Sequence, residues 1–259
     1  MLLAIDVGNT TISIAIVKEN MHRPLQRKVV FLRQLETFQE PKVLRKKLQQ
    51  VLSRTMTRYA VQNVLICSVV PKIAEILKDI LQKDLRIKPL VIGEDIVVPM
   101  KNCYRHPGQV GQDRLVCSYA AKRLYGEPFI VIDFGTAITF DVVSQQGEYL
   151  GGIIVPGIRL TAESLFKKTA LLPKVKIKIP RELIGRDTRA SILSGIFYGY
   201  GALCDGLIDA ISKKLKCELK VVITGGYGHL MKKFISKEVY CVDRYLVFKG
   251  MNLLALSLK

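Results

Sequence analysis

The chain has 259 residues and a net charge of +18, from 40 Lys and Arg against 22 Asp and Glu. With 49% hydrophobic and 24% charged residues, the composition excludes a disordered chain, a collagen-like repeat and a small disulfide scaffold. The length suffices for one large or two medium domains, and the excess of positive charge favours anionic partners such as nucleotides, phosphates or nucleic acid.

The first part of the chain opens with two apolar strands joined by a short turn. Residues 2–17 read LLAIDVGNTTISIAIV, in which an apolar run ends at Asp6 and Gly8 permits a tight turn before the second strand. The hydrophobic pattern then predicts, in order, a strand at 28–32, a helix over 44–52, a strand at 64–70, a helix over 73–81 and a short strand ending at Ile92.

The second part of the chain repeats this order. Residues 129–143 read FIVIDFGTAITFDVV, so that Asp133 aligns with Asp6 and Gly135 with Gly8. The elements predicted next are a strand at 151–155, a helical stretch from Ile158, a helix over 188–215, a strand at 219–224, a helix after Gly228 and a terminal helix at 246–258. Chance similarity between two hairpins does not account for the shared order, so we predict an internal duplication.

The duplication predicts two α/β domains that face each other across a cleft. Each half would form a mixed sheet covered by helices, with right-handed crossovers between its parallel strands. The boundary is predicted between Gly111 and Gly126, where the loop HPGQVGQDR leads into a helix from Leu115. We place the domains at 1–116 and 117–259, with the last helix able to pack back on the first domain.

The turn DVGNT at residues 6–10 has the composition of a phosphate-binding loop beside a metal-binding carboxylate. Gly8 lets an anion approach closely, Asn9 and Thr10 supply donors, and Asp6 is able to hold Mg²⁺. An ordinary hairpin tip uses the same residue types. However, DFGT at 133–136 and TGG at 224–226 also follow buried strands, and the three turns together predict a nucleotide site.

Seven motifs spread over nearly the whole chain resemble those of one enzyme family. They are DVGNT from Asp6, SVVP from Ser68, VGQDR from Val110, IDFGTAITFD from Ile132, GGIIVPG from Gly151, DTRASILSG from Asp187 and TGG from Thr224. Their order closely resembles that of the type III pantothenate kinases, which are related to acetate and sugar kinases, Hsp70 and actin. The resemblance implies two ribonuclease H-like domains of the actin, Hsp70 and sugar kinase type facing a nucleotide cleft. It also implies ATP-dependent phosphorylation of pantothenate to 4'-phosphopantothenate, the first step of coenzyme A biosynthesis.

The resemblance also implies the roles of individual residues. Asp113 is the expected general base, since phosphoryl transfer to an alcohol needs a carboxylate near the nucleophilic hydroxyl, although a helix cap is the alternative role. Residues expected to bind ATP are Asp6, Val7, Gly8, Asn9, Thr10, Thr11, Ile12, Ser13 and Thr136, with Mg²⁺ at Asp6 and K⁺ or NH₄⁺ at Asp133. Residues expected in the pantothenate pocket are Tyr104, Gly111, Gln112, Asp113, Arg114 and Thr188.

The chain departs from the family pattern at one position beside this pocket. The family usually has Asn-Thr where this chain has Asp187-Thr188. A second anion would repel an acidic substrate there. We therefore expect Asp187 to face away, or a nearby base such as Arg186 or Arg189 to neutralise it.

The sequence further predicts a location and partners. No segment reaches the roughly 18 uninterrupted apolar residues of a spanning helix, and the six scattered cysteines contain no CxxC pair, which is typical of a reducing compartment. We expect a cytoplasmic protein with no membrane contact and no specific binding of nucleic acid. The resemblance implies a homodimer, formed through helices at 158–171 and 191–215.

Two other functions are compatible with the same fold. An accessory or regulatory binding protein would suit the positive charge, although the presence of Asp6, Asp113 and Asp133 argues against a lost active site. A phosphatase acting on polyphosphate or nucleotides would use Asp113 to orient water instead of an alcohol.

Overall fold

The computed structural model describes residues 1–18, 28–37 and 40–258. Its strands in chain order are β1 (Leu2–Val7), β2 (Thr11–Lys18), β3 (Lys28–Glu36), β4 (Asn63–Ser68), β5 (Leu90–Val91), β6 (Phe129–Phe134), β7 (Ala137–Val143), β8 (Tyr149–Pro156), β9 (Lys220–Thr224) and β10 (Cys241–Val242). Its α-helices are α1 (Pro41–Arg58), α2 (Pro71–Asp79), α3 (Gln112–Tyr125), α4 (Ile158–Lys168), α5 (Thr188–Leu215), α6 (Gly228–Met231) and α7 (Leu246–Leu256).

These elements form two compact units, each assembled from separate stretches of chain. Unit 1 comprises Met1–Met100, Arg105–Leu124 and Tyr245–Lys259, and unit 2 comprises Lys101–Tyr104 and Tyr125–Arg244. Each unit contains one five-stranded sheet, ordered β3-β2-β1-β4-β5 in unit 1 and β8-β7-β6-β9-β10 in unit 2. In both, the first strand pairs antiparallel with the second and parallel with the fourth. The predicted α/β duplication is therefore confirmed.

Each sheet is held by its own apolar core. The central strands β1, β4, β6 and β9 have nearly continuous buried apolar residues, as parallel strands covered on both faces require. In unit 1, α1 buries Leu44, Leu48 and Leu52, which the helical repeat places on one face. In unit 2, the long helix α5 buries Ile192, Ile196 and other apolar side chains against the sheet.

The units are divided differently from the predicted boundary at 116/117. Helix α3 spans that boundary, and nearly all of it belongs to unit 1. Helix α7 also belongs to unit 1, where it packs against β1, β2 and β4. A Cβ added to Gly250 of α7 would lie 2.5 Å from the carbonyl oxygen of Val116 in α3. This close backbone contact explains why the two helices group together.

Two differences from the predicted element boundaries bear on the candidate site. Helix α3 begins at Gln112, three residues before the predicted Leu115, because the carbonyl oxygen of Gly111 already accepts from the amides of Arg114 and Leu115. Strand β8 begins at Tyr149, two residues before the predicted start, because Tyr149 pairs with Val143 across a bulge. Both shifts lie next to residues that the sequence analysis places in the site.

One helix in the described part of the chain, α5, is long and apolar enough to cross a membrane by length and composition alone. Core helices of soluble proteins also satisfy that criterion, and 44% of its most apolar window is buried inside the protein. Its buried residues pack on the sheet of unit 2. The finding is therefore weak as an indication of a membrane span.

Candidate active site

The turn between β1 and β2 forms the first part of the candidate site. Asp6 lies one residue before the end of β1, where it pairs with Ser13 of β2 and with Cys67 of β4. The amide of Gly8 donates to the carbonyl oxygen of Thr11 at 3.0 Å, which closes the turn. The half-buried carboxylate of Asp6 is thus held at the carboxyl end of a buried strand.

The eight residues predicted to bind ATP in unit 1 differ in whether their side chains are buried or exposed. Val7 and Ile12 are buried in the core of the unit, so their side chains are unavailable to a nucleotide and only their backbone groups remain. Asn9 and Thr10 are exposed at the tip. Ser13 is buried, and its hydroxyl accepts a hydrogen bond from Gln34 at 3.4 Å.

Thr37 holds this tip from the end of β3, a role that the sequence analysis missed. Its hydroxyl donates to the carbonyl oxygen of Gly8 at 2.8 Å, and its amide donates to the carbonyl oxygen of Thr10 at 3.0 Å. Thr37 is itself buried. These two bonds fix both sides of the turn, yet no local sequence signal links Thr37 to residues almost thirty positions earlier.

The start of α3 supplies the second part of the site. Asp113 is in the first turn of the helix, and its Oδ1 atom accepts from the amide of Arg114 at 2.9 Å. A Cβ added to Gly111 would lie 2.6 Å from that Oδ1 atom, so glycine leaves the space that the carboxylate occupies. The neighbouring Gln112 packs against Gly93, whose added Cβ would lie 2.8 Å from its Cδ atom.

Cys67 connects these two parts of unit 1. It is fully buried in β4, and burial raises the pKa of its thiol well above the usual value. The negative charges of Asp6 and Asp113 raise this pKa further. Asp6 is the strand neighbour of Cys67, and a Cβ added to Gly111, beside the Asp113 carboxylate, would lie 3.5 Å from Val69, two residues after Cys67. The fold therefore brings the predicted metal ligand and the predicted base to the same end of β4.

The tip between β6 and β7 repeats the arrangement in unit 2. Asp133 pairs with Thr139 of β7 and with Thr224 of β9, and Thr136 is exposed at the turn. The amide of Gly157, just after β8, donates to the carbonyl oxygen of Thr136 at 3.1 Å. A Cβ on Gly157 would come within 2.1 Å of that oxygen, which explains the glycine at this position.

Gly225 supports Asp133 from the TGG turn. Its φ is +87°, and an added Cβ would lie 2.3 Å from Oδ1 of Asp133 and 2.6 Å from the backbone carbon of Phe134. Next to it, Gly226 has open space around the position of a Cβ. The predicted convergence of DFGT and TGG is therefore seen in unit 2, with one of the two glycines in contact with the carboxylate.

Tyr104 lies in a four-residue segment, Lys101–Tyr104, that belongs to unit 2 although its neighbours in sequence belong to unit 1. The segment bonds to the main chain of Tyr149 at the start of β8. The ring of Tyr104 lies against Gly151, whose added Cβ would be 3.3 Å from the ring. Gly151 has φ +124°, so this contact also depends on glycine.

Thr188 is the first residue of α5 and is exposed. The preceding Asp187 is the N-cap of the helix: its Oδ1 atom accepts from the amide of Ala190 at 2.8 Å. Asp and Asn are about equally good in that position. The departure from the family pattern therefore has a structural explanation, since the carboxylate is engaged by the helix that Thr188 begins.

The donors available for a metal are few. Among residues 1–18, 28–37 and 40–258, no group of three or more His, Cys, Asp or Glu side chains could hold a metal ion. Mg²⁺ in phosphoryl-transfer sites is commonly held by one or two carboxylates together with the phosphates of the substrate. The half-buried Asp6 fits such a site. The described residues do not form a site in which protein side chains alone surround a metal.

The sequence matches one protein family over most of its length: the family model of type III pantothenate kinase matches residues 2–210. The chain belongs to the type III pantothenate kinase family. The type III pantothenate kinase of Sulfurihydrogenibium sp. strain YO3AOP1 is 36% identical over 262 residues, which cover 98% of this chain and 99% of the relative.

Solved structures agree on the fold. A protein of Campylobacter jejuni described as a conserved Baf family transcriptional activator has a TM-score of 0.61 and 20% identity, with 98% of each chain covered. The inorganic polyphosphate/ATP-glucomannokinase of Arthrobacter sp. strain KM has a TM-score of 0.51 and 15% identity, with 99% of this chain and 98% of that chain covered. These likenesses place the chain in the fold class of actin, Hsp70 and sugar kinases.

The two glycines of the TGG turn offer a matched pair of substitutions. We expect Gly225→Ala to lower kcat/KM for pantothenate phosphorylation by about tenfold or more, because the added methyl displaces Asp133 and misplacement of a site residue is costly. Gly226→Ala adds a methyl in open space and should stay within about twofold of the parent. Steady-state kinetics at saturating ATP measure both. Full activity of Gly225→Ala would contradict the support of Asp133 by Gly225.

Proposed function

We propose that this protein transfers the γ-phosphoryl group of ATP to the terminal hydroxyl of pantothenate, the first step of coenzyme A biosynthesis. Family membership supports the reaction and the use of ATP with a divalent metal. The observation that carries the proposal is the placement of Asp6 and Asp113 at the same end of β4. Asp6 pairs with Cys67, and Gly111, against the Asp113 carboxylate, lies beside Val69. One carboxylate suited to Mg²⁺ and one suited to a proton are thereby available in the same part of unit 1.

The turn residues of both units are proposed to bind the phosphates of ATP. In unit 1, Asn9 and Thr10 offer exposed side chains, while Gly8 to Ser13 otherwise contribute through the backbone of the tip. In unit 2, the exposed Thr136 is proposed to contact a phosphate oxygen. Asp6 would hold Mg²⁺, which when bound neutralises charge on the phosphate oxygens.

Asp113 is proposed as the general base. Its carboxylate accepts the proton of the attacking hydroxyl as the substrate oxygen forms a bond to the γ-phosphorus. The bond from that phosphorus to the bridging oxygen breaks, and ADP leaves with the bonding electrons. The bond from the amide of Arg114 to Oδ1 orients the carboxylate for this transfer.

Pantothenate is proposed to bind at Tyr104, at Gly111, Gln112 and Arg114, and at Thr188. The substrate carries a carboxylate, and the planar guanidinium of Arg114 offers parallel donors that suit it. The packing of Gln112 on Gly93 supports the start of α3, from which both Asp113 and Arg114 extend. The base and the carboxylate-binding residue are therefore positioned by the same helical turn.

A coupled assay tests the reaction and separates it from the two alternatives. We expect ADP release that requires pantothenate and yields a product with one added phosphate by mass spectrometry. ADP release at the same rate without pantothenate would indicate a phosphatase. No release under either condition, with ATP bound, would indicate a binding role. The family relatives favour neither alternative.

The role of Asp113 is tested with the isosteric Asp113→Asn variant. We expect kcat to fall by about 10² or more, the scale of lost general-base catalysis, with folding and ATP binding retained. Asp187→Asn is the matched control, because it removes the same charge while Asn still caps α5; its kcat should stay within about twofold of the parent. Near-parental turnover of Asp113→Asn would remove this residue from the mechanism.

Asp133 is proposed to bind K⁺ or NH₄⁺ next to the triphosphate, where a cation lessens charge repulsion during transfer. The half-buried carboxylate lies between the hairpin tip and Gly225, which leaves oxygen atoms of the turn as further ligands. We expect activity in KCl or NH₄Cl and a marked loss in NaCl at equal ionic strength. Asp133→Ala should be slow in all three salts. Equal rates of the parent protein in the three salts would contradict cation binding by Asp133 and leave it only the role of a turn residue.

A homodimer is proposed from the apolar surface of unit 2. Leu160 and Phe166 of α4 are 47% and 43% exposed, and Leu171 just beyond it is 91% exposed. Side chains of this kind are commonly covered by a partner, and they lie in the segment predicted to form the dimer contact. Sedimentation equilibrium tests the proposal, and a monomer at micromolar concentration would contradict it.

A cytoplasmic location is proposed because the six cysteines are free thiols, which suits a reducing compartment. Cell fractionation tests it. The charge of +18 is proposed to lie mainly on solvated faces, so that binding to duplex DNA at roughly physiological salt is at best micromolar and independent of sequence. Competition titrations test this, and sequence-selective nanomolar binding would support the regulatory alternative.

A further inference from the structure

Unit 2 contains a buried carboxylate that the proposed reaction does not use. Asp141 of β7 is 1% exposed. Its Oδ1 atom accepts from the hydroxyl of Tyr149 at 2.7 Å, and its Oδ2 atom accepts from the hydroxyl of Thr139 at 3.0 Å. Burial of a carboxylate is costly unless hydrogen bonds compensate it, so a fold retains such a group where its bonds fix something.

Tyr149 is the residue that these bonds fix. It is fully buried at the start of β8, so its ring and hydroxyl are held from inside unit 2. The backbone of Tyr149 bonds to a different part of the chain. Its amide donates to the carbonyl oxygen of Lys101, and its carbonyl oxygen accepts from the amide of Cys103, both at 2.9 Å. Tyr149 therefore connects Asp141 to the segment Lys101–Tyr104.

Two contacts hold Tyr104, the last residue of that segment, in its position. The amide of Tyr104 donates to Oδ1 of Asn102 at 3.0 Å, while its ring lies against Gly151, two residues after Tyr149. The bonds on both sides of Asn102 are made by Tyr149. A shift of Tyr149 would therefore move the backbone and the ring contact of Tyr104 together.

We infer that Tyr149 and Asp141 are positioning residues for the pantothenate pocket, acting through Lys101–Tyr104 to set the place of the Tyr104 ring. The inference rests on the proposed role of Tyr104 in binding pantothenate. Neither Tyr149 nor Asp141 touches substrate in this proposal. The expected effect of Tyr149 is on pantothenate binding, because Tyr149 bonds to Lys101–Tyr104, whereas Asp113 and the turn between β1 and β2 are held by other bonds.

The test uses Tyr149→Phe, which keeps the ring and removes only the hydroxyl. We expect KM for pantothenate to rise by about tenfold, the scale of a modest misplacement of a binding residue, with kcat and KM for ATP within about twofold. Tyr125→Phe is the matched control, because it also removes a tyrosine hydroxyl that donates to an aspartate, Asp243 at 2.6 Å, outside Lys101–Tyr104, and it should leave all three constants within about twofold. An unchanged KM for pantothenate in folded Tyr149→Phe would overturn the inference.

A second variant distinguishes a positioning role from a merely structural role. Asp141→Asn keeps an acceptor for the Tyr149 hydroxyl and should raise KM for pantothenate less than Tyr149→Phe does. The double variant should match Tyr149→Phe alone in its KM for pantothenate, because Asp141 acts on the segment Lys101–Tyr104 through its bond to the Tyr149 hydroxyl. Additive effects, or equal rises in the KM values of both substrates, would indicate a merely structural role and overturn the inference.

Tyr104→Ala separates this inference from the proposed function. If Tyr104→Ala raises KM for pantothenate and Tyr149→Phe does not, the positioning role fails and the function stands. If Tyr104→Ala leaves KM for pantothenate unchanged, the proposed pocket is wrong and the inference falls with it. Absence of pantothenate-dependent ADP release in the parent protein would instead reject the reaction itself.

Discussion

The parallel pairing of the fourth strand with the first decides where the carboxylates of each unit lie. In unit 1 this pairing sets Asp6 beside Cys67, and in unit 2 it sets Asp133 beside Thr224. Because parallel strands end at the same edge of a sheet, the turns that follow them are brought to one place. A carboxylate within these apolar strands would be costly to bury, so each acid stands near the end of its strand, where the chain turns.

Glycines then define the space around these carboxylates. In each unit a missing Cβ leaves room for a carboxylate oxygen: Gly111 for Asp113 at 2.6 Å and Gly225 for Asp133 at 2.3 Å. Only Gly225 also has a positive φ, so the two glycines serve different needs. At Gly111 the requirement is space alone. Glycines of the motifs therefore serve close packing against a carboxylate as well as turn formation.

Hydrophobic periodicity was sufficient to predict the strands of both sheets apart from β10, because buried strands and their helices carry the pattern locally. It did not predict β10, which has only two residues. The turns of the candidate site and the helix beside GQDR were predictable because acid and glycine are neighbours in sequence in DVGNT, GQDR and DFGT; the roles of their residues stay predictions. Contacts between distant residues were not predictable. The clamp by Thr37 and the bond between Tyr149 and Asp141 each join side chains with no periodic signal, and the four-residue segment ending at Tyr104 is too short for one. The start of α3 was missed because a backbone carbonyl, that of Gly111, begins the helix.

Asp187 shows how a departure from a family motif can keep the structural role of the position, here the N-cap of α5. The family's Asn and this chain's Asp both offer a side-chain oxygen to the free amides at a helix N-terminus, and the partial positive charge there favours the anion. The bond to the amide of Ala190 orients the carboxylate along the helix that begins at Thr188. The helix end offsets part of the added charge, so neither Arg186 nor Arg189 is needed for that purpose; Arg186 instead pairs with Glu182. A substitution that preserves the cap therefore leaves Thr188 in its place as the first residue of the helix.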